Sequence, residues 1–260
     1  MNQKLNTFSM DSFLLTNKVA IITGGNTGIG QSFAVAYAKA GAHLVLVTHG
    51  TNREETNSLL KEENASVTFI QADLTKADDR EKVIQTTLNK YGRIDILVNN
   101  AGTIRRAPLL EYKEEDWNDV LDINLNAVYC LSHECAKIMV KQKAGKIINI
   151  ASMLSFQGGK FVPAYTASKH AVAGLTKAFA NELACENIQC NAIAPGYVIT
   201  KNTEAIRSNE KRYHEILDRI PAGRWAYPAD LMGTAVFLAS DASNYINGQI
   251  IAVDGGWLVR

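Results

Sequence analysis

The strongest constraint on the fold is a glycine-rich turn that joins a short apolar run to a helical pattern. Residues 19–22 read Val-Ala-Ile-Ile, and Thr-Gly-Gly-Asn-Thr-Gly-Ile-Gly follows at 23–30. After the turn, apolar residues such as Phe33 and Tyr37 recur at helical spacing. Glycines let the backbone approach a ligand closely, and the first amides of a helix favour a phosphate group. The stretch therefore predicts a strand, a turn and a helix that together bind a dinucleotide.

Apolar runs and helical patterns alternate along the rest of the chain. Strands are predicted at 44–47, 67–72, 94–98, 146–151, 188–194 and 249–253, and helices at 53–63, 76–91, 114–142, after Pro163 and at 229–239. This alternation predicts an α/β fold of the Rossmann type, with a doubly wound, seven-stranded parallel sheet and helices on both faces. Residues 18–260 are expected to form one domain, since no linker or repeat interrupts them. The polar, aperiodic residues 1–17 are expected to form an arm on the surface.

The composition excludes several classes of partner. The 260 residues include 27 basic and 26 acidic side chains, a formal net charge of +1, so no general field attracts nucleic acid or an anionic membrane. No secretion signal is recognisable, and no run has the roughly 18 apolar residues of a membrane span. The cysteines and histidines lack the spacing of metal ligands, so no metal is expected. We therefore expect a cytoplasmic protein with free thiols that acts on a small molecule.

A candidate reaction centre lies in the middle of the chain. Ser152 directly follows the fifth predicted strand, and in the next helix Tyr165 and Lys169 are four residues apart, on one helical face. A free phenol has a pKa of about 10, which a nearby ammonium lowers. We therefore expect Tyr165 to exchange protons near neutral pH.

Two further features leave the interpretation open at this point. Tyr197 and Lys201 have the same spacing as the first pair, although the segment around them shows no helical pattern. Spacing alone therefore does not decide between the two pairs. Asn124 lies within the predicted helix 114–142, where Asn is mildly unfavourable, and a surface position accounts for it equally well.

Polar residues also follow other predicted strands, at the sheet edge where such folds bind ligands. Asp73 follows the third strand, and Asn-Asn-Ala-Gly at 99–102 follows the fourth. An acidic residue after the second strand favours NAD and an Arg favours NADP, but here Thr48 and His49 occupy that place. Arg53 is close enough in sequence to reach a phosphate. These residues leave the choice of cofactor open.

Together, these motifs resemble the short-chain dehydrogenase/reductase family from about residue 18 to the end of the chain. The resemblance implies an oxidoreductase with a catalytic tetrad of Asn124, Ser152, Tyr165 and Lys169, and it makes the second Tyr-Lys pair incidental to proton transfer. It also implies which residues bind the nicotinamide cofactor: Thr23, Gly24, Asn26, Thr27, Gly28, Ile29, Gly30, Thr48, Asp73, Leu74, Asn100, Ala101, Gly102, Tyr165, Lys169, Pro195, Gly196, Val198 and Thr200.

Four segments resemble more closely the bacterial members of the family that act on the sugar acid 2-dehydro-3-deoxy-D-gluconate. They lie at 104–106, 148–159, 215–225 and 253–257. This resemblance implies that a hydroxyl and a keto group are interconverted on a sugar acid from uronate breakdown. It implies NAD as the cofactor, with NADP not excluded, and a homotetramer.

Substrate contacts are expected from several parts of the chain. Ser152 and Tyr165 would hold the reacting oxygen, and a sugar acid needs a cation for its carboxylate, preferably an Arg. The candidates for that cation are Arg105, Arg106 and Arg224. Gln157 lies in the loop between Ser152 and Tyr165 that is expected to line the substrate pocket. The charged insertion at about 197–227 is expected to be a substrate lid.

Other functions share most of these motifs. A gluconate 5-dehydrogenase or a polyol dehydrogenase would differ only in substrate contacts. A 3-ketoacyl carrier-protein reductase would require NADPH and a basic docking surface. A non-catalytic dinucleotide sensor would bind the cofactor without turnover, although such proteins often lack the Tyr or Lys that is present here.

Overall fold

Seven apolar segments form the strands of one sheet in the computed structural model, which describes residues 9–61, 63 and 65–260. The strands are β1 Val19–Thr23, β2 His43–Thr48, β3 Val67–Gln71, β4 Ile96–Asn99, β5 Gly145–Ile150, β6 Ile188–Pro195 and β7 Ile250–Val253. They lie in the order β3-β2-β1-β4-β5-β6-β7, and every neighbouring pair is parallel. The prediction of a seven-stranded, doubly wound parallel sheet is confirmed.

Helices cover both faces of this sheet, because alternate side chains of each buried strand point to opposite faces. The helices are α1 Gly28–Lys39, α2 Glu54–Lys61, α3 Ala77–Tyr91, α4 Glu114–Leu121, α5 Ala127–Gln142, α6 Pro163–Leu183, α7 Glu204–Arg207, α8 Glu210–Leu217 and α9 Met232–Ala239. Ile22 packs in one apolar core with Phe33 of α1, and Ile21 packs in the other with Leu131 of α5. Among the described residues, no helix has the length and apolar character needed to span a membrane.

The crossover between β1 and β4 creates the crevice at which the site is assembled. Strand order runs outward from β1 in one direction and from β4 in the other, so the loops after these two strands diverge. The glycine turn at 23–30 follows β1, and the loop at 99–102 follows β4. Both predicted cofactor loops therefore face the same opening.

The predicted single helix 114–142 is interrupted, and this corrects the interpretation of Asn124. A π-helical turn, Asp122–Asn126, separates α4 from α5. Such a turn inserts an extra residue and redirects the side chains that follow. It carries Asn124 into the interior, where its side chain is 0% exposed. The surface position considered from sequence is wrong.

The segment before β1 belongs to the domain at least from Leu15 onward. Leu15 is fully buried, and its amide donates to the carbonyl of Ala40, 2.8 Å away. The ring of Phe13 lies 6.2 Å from that of Phe237. The surface arm predicted for 1–17 is therefore wrong where Leu15 enters the core. Residues 1–8 of that arm lie outside the described residues.

The predicted lid at 197–227 contains the short helices α7 and α8 and rests on aromatic rings. The ring of Tyr197 lies 5.2 Å from that of Trp225 and 4.8 Å from that of Trp257, measured between centroids. Tyr213 of α8 stacks on Trp225 at 5.5 Å. Met153, next to Ser152, is buried in the same cluster. The base of this insertion is thus packed against the C-terminal residues.

Candidate active site

The glycine turn is shaped so that α1 can begin directly above the end of β1. Gly24 and Gly28 have positive φ angles of 64° and 54°, which favour glycine. A Cβ atom at Gly30 would lie 2.2 Å from the carbonyl oxygen of Gly24, so no larger residue fits there. No described side chain caps the α1 N-terminus at Thr27, and Ile29 packs against the core. The cradle fits a pyrophosphate, which the first amides of α1 would bind.

Hydrogen bonds fix the turn to the loop after β4. The hydroxyl of Thr23 accepts from the amides of Asn100 and Ala101, at 3.0 and 2.9 Å. The side chain of Asn100 donates to the carbonyl of Thr23 at 2.9 Å. A Cβ atom at Gly102 would lie 3.0 Å from Oδ1 of Asn124. The two cofactor loops therefore form one rigid floor in the crevice.

The expected adenosine-binding residues lie at the ends of β2 and β3. Thr48 is buried and its hydroxyl donates to the carbonyl of Gly50, while the side chain of Asn26 donates to the carbonyl of Asn52. Asp73 accepts from the amide and the hydroxyl of Thr75, and these bonds help to lower the pKa of its carboxyl group. Leu74 is buried beside it.

Arg53 is the residue in this region that is close enough in sequence to reach a phosphate of the cofactor. It begins the turn into α2, and its guanidinium carbon lies 5.4 Å from the centroid of the Phe69 ring. Its Nε is buried without a hydrogen-bond partner among the described residues. Arg53 is therefore a half-buried cation near the end of β2 rather than a fully solvated surface charge.

The segment after β6 faces the glycine turn from the other side of the crevice. A Cβ atom at Gly28 would lie 3.4 Å from Cγ2 of Thr200, and Val198 is buried. A Cβ atom at Gly196, which follows Pro195, would lie 2.6 Å from Cα of Asp254, so the backbone must pass close to the C-terminal segment there. The residues predicted to bind the pyrophosphate and those predicted to bind the nicotinamide are distant in sequence. They thus lie at the same crevice.

Ser152 and the Tyr165–Lys169 pair meet at the carboxyl end of β5. Pro163 at the first position of α6 starts the helix, and its missing amide hydrogen leaves no intrahelical bond unmade. Nζ of Lys169 donates to the carbonyl of Ile150 at 2.6 Å and lies 5.4 Å from the centroid of the Tyr165 ring. The hydroxyl of Ser152 accepts from the amide of Leu154 at 3.1 Å.

The protonation of this pair differs from the expectation drawn from spacing. Burial raises the pKa of Tyr165 above its ordinary value, although the Ser152 hydroxyl and the charge of Arg106 act in the opposite direction. Burial also lowers the pKa of Lys169 to about 8. The expectation that the pKa of Tyr165 lies below its ordinary value is therefore wrong for this structure. Desolvation of both groups outweighs the attraction between a phenolate and an ammonium.

The Asn124 side chain connects the loop after β4 to α6. Its Oδ1 accepts from the amide of Thr103 at 2.8 Å, and its Nδ2 donates to the carbonyl of Thr103 at 3.0 Å and to the hydroxyl of Ser168 at 3.2 Å. Ser168 directly precedes Lys169 in the chain. Sequence analysis missed Ser168, because a lone Ser in a helix carries no chemical signature.

The three candidate cations have different partners. Arg105 lies 3.5 Å from a carboxylate oxygen of Asp116 and 3.4 Å from one of Asp119. Arg224 makes two hydrogen bonds to Asp230, at 2.7 and 2.8 Å. Arg105 and Arg224, two of the predicted substrate residues, are therefore paired with acidic side chains of the protein itself.

Arg106 differs from Arg105 and Arg224 in its partners. Its Nη2 donates to the carbonyl of Asn202 in the predicted lid at 3.0 Å, and its charge acts on Tyr165. Within the described part of the chain, no carboxylate pairs with it. Gln157, the remaining predicted substrate residue, is half-buried in the loop between Ser152 and Tyr165.

The second Tyr-Lys pair has a different environment. Lys201 lies in a short 3-10 turn, Lys201–Thr203, and Tyr197 is enclosed by the aromatic rings beneath the lid. Burial raises the pKa of Tyr197. Its surroundings are those of a packing residue, as the absence of a helical pattern indicated.

Comparison with known proteins shows which proteins this chain is similar to. A family model described as enoyl-(acyl carrier protein) reductase matches residues 24–258. The 2-dehydro-3-deoxy-D-gluconate 5-dehydrogenase of Bacillus subtilis is 54% identical over 250 residues, which cover 96% of this chain and 98% of that protein.

Solved structures show the same likeness. An Agrobacterium tumefaciens protein with bound NADP, provisionally described as a 2-deoxy-D-gluconate 3-dehydrogenase, has a TM-score of 0.90 and 46% identity, over 96% of this chain and 99% of that one. A gluconate 5-dehydrogenase of Burkholderia cenocepacia, in complex with NADP and tartrate, has a TM-score of 0.90 and 36% identity, over 96% and 98% of the two chains. This chain belongs to the short-chain dehydrogenase/reductase family.

Proposed function

We propose that the protein interconverts a hydroxyl and a keto group on 2-dehydro-3-deoxy-D-gluconate. The observation that carries the proposal is that Tyr165 lies among Ser152, Lys169 and Arg106, so that proton transfer and recognition of an acid occur at one place. The Bacillus subtilis relative, 54% identical to this chain, supports the choice of sugar acid.

The reaction follows from the roles that these side chains are able to fill. The nicotinamide cofactor supplies the chemistry of accepting or donating a hydride. In oxidation, Ser152 hydrogen-bonds the substrate oxygen while the phenolate of Tyr165 removes the hydroxyl proton, and the carbon loses its hydride to become a ketone. In reduction, the neutral phenol of Tyr165 donates its proton to the keto oxygen. Asn124 would hold a water that links Lys169 to solvent, so that the proton can leave.

The raised pKa of Tyr165 sets the expected pH dependence. The neutral phenol predominates near neutral pH and suits the reduction, whereas the phenolate needed for oxidation forms only as the pH rises through the pKa of Tyr165. Oxidation is therefore expected to accelerate towards alkaline pH, while reduction slows.

Tyr165→Phe tests the assignment of the proton donor. The change removes only the hydroxyl, so turnover in both directions is expected to fall by about 10³-fold or more, while the cofactor dissociation constant stays nearly unchanged. Steady-state rates and a fluorescence titration with reduced cofactor measure the two effects. Tyr197→Phe is the matched control and is expected to retain activity. Full activity in Tyr165→Phe, with loss in Tyr197→Phe, would contradict the proposal.

Arg106 is proposed to bind the substrate carboxylate. It is the candidate cation with no acidic partner among the described residues, and its charge already acts on Tyr165. Arg106→Ala is expected to raise the KM for the sugar acid by about 10- to 100-fold, the value of one charge-assisted contact. It should also move the pH dependence of oxidation upward, because a cation that favours the phenolate is lost.

Arg105→Ala provides the control for this prediction, since the paired Arg105 is expected to leave the KM within about threefold of the original. Steady-state kinetics on both variants, with cofactor saturating, make the comparison. A larger rise in KM for Arg105→Ala than for Arg106→Ala would assign the carboxylate to Arg105 instead.

NAD is proposed as the cofactor, with NADP not excluded. The residues after β2, Thr48 and His49, include no carboxylate that would repel a 2'-phosphate, and Arg53 supplies a cation nearby. Comparing kcat/KM for the two cofactors tests this proposal. Values within about tenfold of one another support it, whereas activity with NADP alone would contradict the use of NAD.

A substrate panel separates the proposed function from its alternatives. It contains 2-dehydro-3-deoxy-D-gluconate, 5-keto-gluconate, a polyol and a 3-ketoacyl thioester, each with both cofactors. Highest kcat/KM on the first compound is expected. Preference for the thioester with NADPH would indicate a carrier-protein reductase, and binding of cofactor without turnover of any compound would indicate a sensor.

A cytoplasmic homotetramer is proposed as the working form. Leu109 and Leu110 are 71% and 99% exposed, and such apolar surface favours association. The four cysteines are free, which suits a reducing compartment. Sedimentation velocity at micromolar concentration is expected to give about four times the 28.4 kDa chain mass. A stable monomer would contradict the assembly.

A further inference from the structure

Ser155 joins two parts of the candidate active site through a single buried hydroxyl group. It ends the 3-10 turn Met153–Ser155 that follows Ser152, and it is 9% exposed. Its Oγ donates to the main-chain carbonyl of Lys169 at 2.7 Å and accepts from the amide of Ser152 at 3.3 Å. The amide of Ser155 also donates to the carbonyl of Ser152 at 2.9 Å.

This bridge connects the backbone of α6 to the backbone at Ser152. Nζ of Lys169 also joins α6 to the segment 150–155, by its hydrogen bond to the carbonyl of Ile150. The Lys169 bond runs through the long Lys side chain, whereas the Ser155 bridge runs through one short side-chain hydroxyl that bonds a main-chain atom on each side. This bridge holds the helix backbone more tightly than the Lys169 bond does, because the Ser155 side chain has a single heavy-atom torsion whereas the Lys side chain has four.

We propose that Ser155 is a positioning residue that sets the separation between the Ser152 hydroxyl and the Tyr165 phenol. Tyr165 lies one turn before Lys169 on α6, so holding the carbonyl of Lys169 also holds the Tyr165 ring against the end of β5. This inference rests on the proposed function, in which Ser152 and Tyr165 contact the substrate. Ser155 is buried and both bonds of its hydroxyl go to main-chain atoms, so the proposed role acts through Ser152 and Tyr165 and requires no contact with substrate or cofactor.

The consequence is measurable in the protonation of Tyr165. The groups that face its phenol are Lys169 on the same helix, the Ser152 hydroxyl at the end of β5 and Arg106 in the loop after β4. The Ser152 hydroxyl favours the phenolate. If Ser155 no longer holds α6 against Ser152, that stabilisation weakens and the pKa of Tyr165 rises further.

Ser155→Ala is the first test. We expect kcat for oxidation of the sugar acid to fall about tenfold and the alkaline rise of kcat to move up by about half a pH unit or more. The dissociation constant of the cofactor is expected to stay the same. Ser155→Cys keeps the volume but offers a weak donor, so it is expected to show the same shift and answers the question if the Ala variant does not fold.

Ser243→Ala is the matched control. Ser243 is also buried, and its hydroxyl donates to the main-chain carbonyls of Leu238 and Ser240, but Ser243 follows α9 and lies outside the candidate active site. A comparable loss of thermal stability with an unchanged pH profile is expected there. If the two Ser155 variants lose stability but keep the original kcat and pH profile, Ser155 is only structural and the inference is wrong.

The outcome for Tyr165→Phe separates this inference from the proposed function. If that variant retains turnover, the proposed function fails whatever the Ser155 variants do. If it loses turnover while the Ser155 variants show no kinetic change, the proposed function stands and only the positioning role is rejected.

Discussion

At the scale of single residues, Lys146 shows how tertiary burial changes a side chain that looks ordinary in sequence. It is the second residue of β5 and is 7% exposed, with its ammonium 2.8 Å from Oδ1 of Asn244 and 3.3 Å from the hydroxyl of Ser243. Burial lowers its pKa to about 8 from an ordinary value of 10.5. The sequence shows only a Lys at the start of an apolar run.

Lys146 gives a prediction about stability and pH. Because the folded pKa is lower, the unfolded chain binds more protons between about pH 8 and 10.5, and the free energy of unfolding rises with pH across this window. From pH 7 to 9.5 the contribution of Lys146 is about 2 kcal/mol. Lys146→Met is expected to remove that contribution. Urea denaturation of both proteins at the two pH values measures it, and an identical pH slope would contradict the assignment.

At the scale of elements, the π-helical turn Asp122–Asn126 is the feature that links the fold to the site. An uninterrupted helix over 114–142 would have continued the ordinary helical spacing and placed Asn124 differently relative to Thr103 and α6. The turn places the Asn124 side chain so that it bonds the main-chain amide and carbonyl of Thr103. The same side chain also donates to the hydroxyl of Ser168. A local irregularity therefore connects the loop after β4 to α6 in the candidate active site.

Asn124→Ala is expected to lower the free energy of unfolding by about 1 to 3 kcal/mol, because it leaves the partly buried amide and carbonyl of Thr103 without their side-chain partner. Asn126→Ala, in the same turn, removes an exposed bond to Asp122 and is expected to cost less than about 1 kcal/mol. Chemical denaturation compares the two. Equal effects would show that the buried bonds of Asn124 contribute no more than an exposed one.

At the scale of the whole molecule, the domain extends beyond the sheet and its helices to include the segment before β1. Leu15 is fully buried in the core shared by α1 and α9, whereas its neighbour Leu14 is 47% exposed. Leu15→Ala is expected to lower the free energy of unfolding by about 2 to 4 kcal/mol. Leu14→Ala is expected to change it by less than about 1 kcal/mol. Thermal and urea denaturation of the two variants measure these changes. A change of less than about 1 kcal/mol for Leu15→Ala would contradict the inclusion of this segment in the core.

Much of this architecture could be predicted from sequence because its signals are local. The apolar runs that became β1 to β7 and the glycines of the first turn follow from backbone sterics and burial within a few residues. The spacing of Tyr165 and Lys169 is equally local. Choosing between this pair and Tyr197 with Lys201 needed neighbouring motifs, since both pairs have the same spacing.

The sequence by itself determined the order of strands and helices, the sheet edge at which the loops meet, and the identities of Ser152 and Tyr165. Only the tertiary structure decided which of the three candidate cations has no acidic partner among the described residues, that Arg106 acts on Tyr165, and that burial raises the pKa of Tyr165. These properties depend on atoms that are close in space but distant in the chain. Desolvation and ion pairing are set by such neighbours, so no local pattern of residues encodes them.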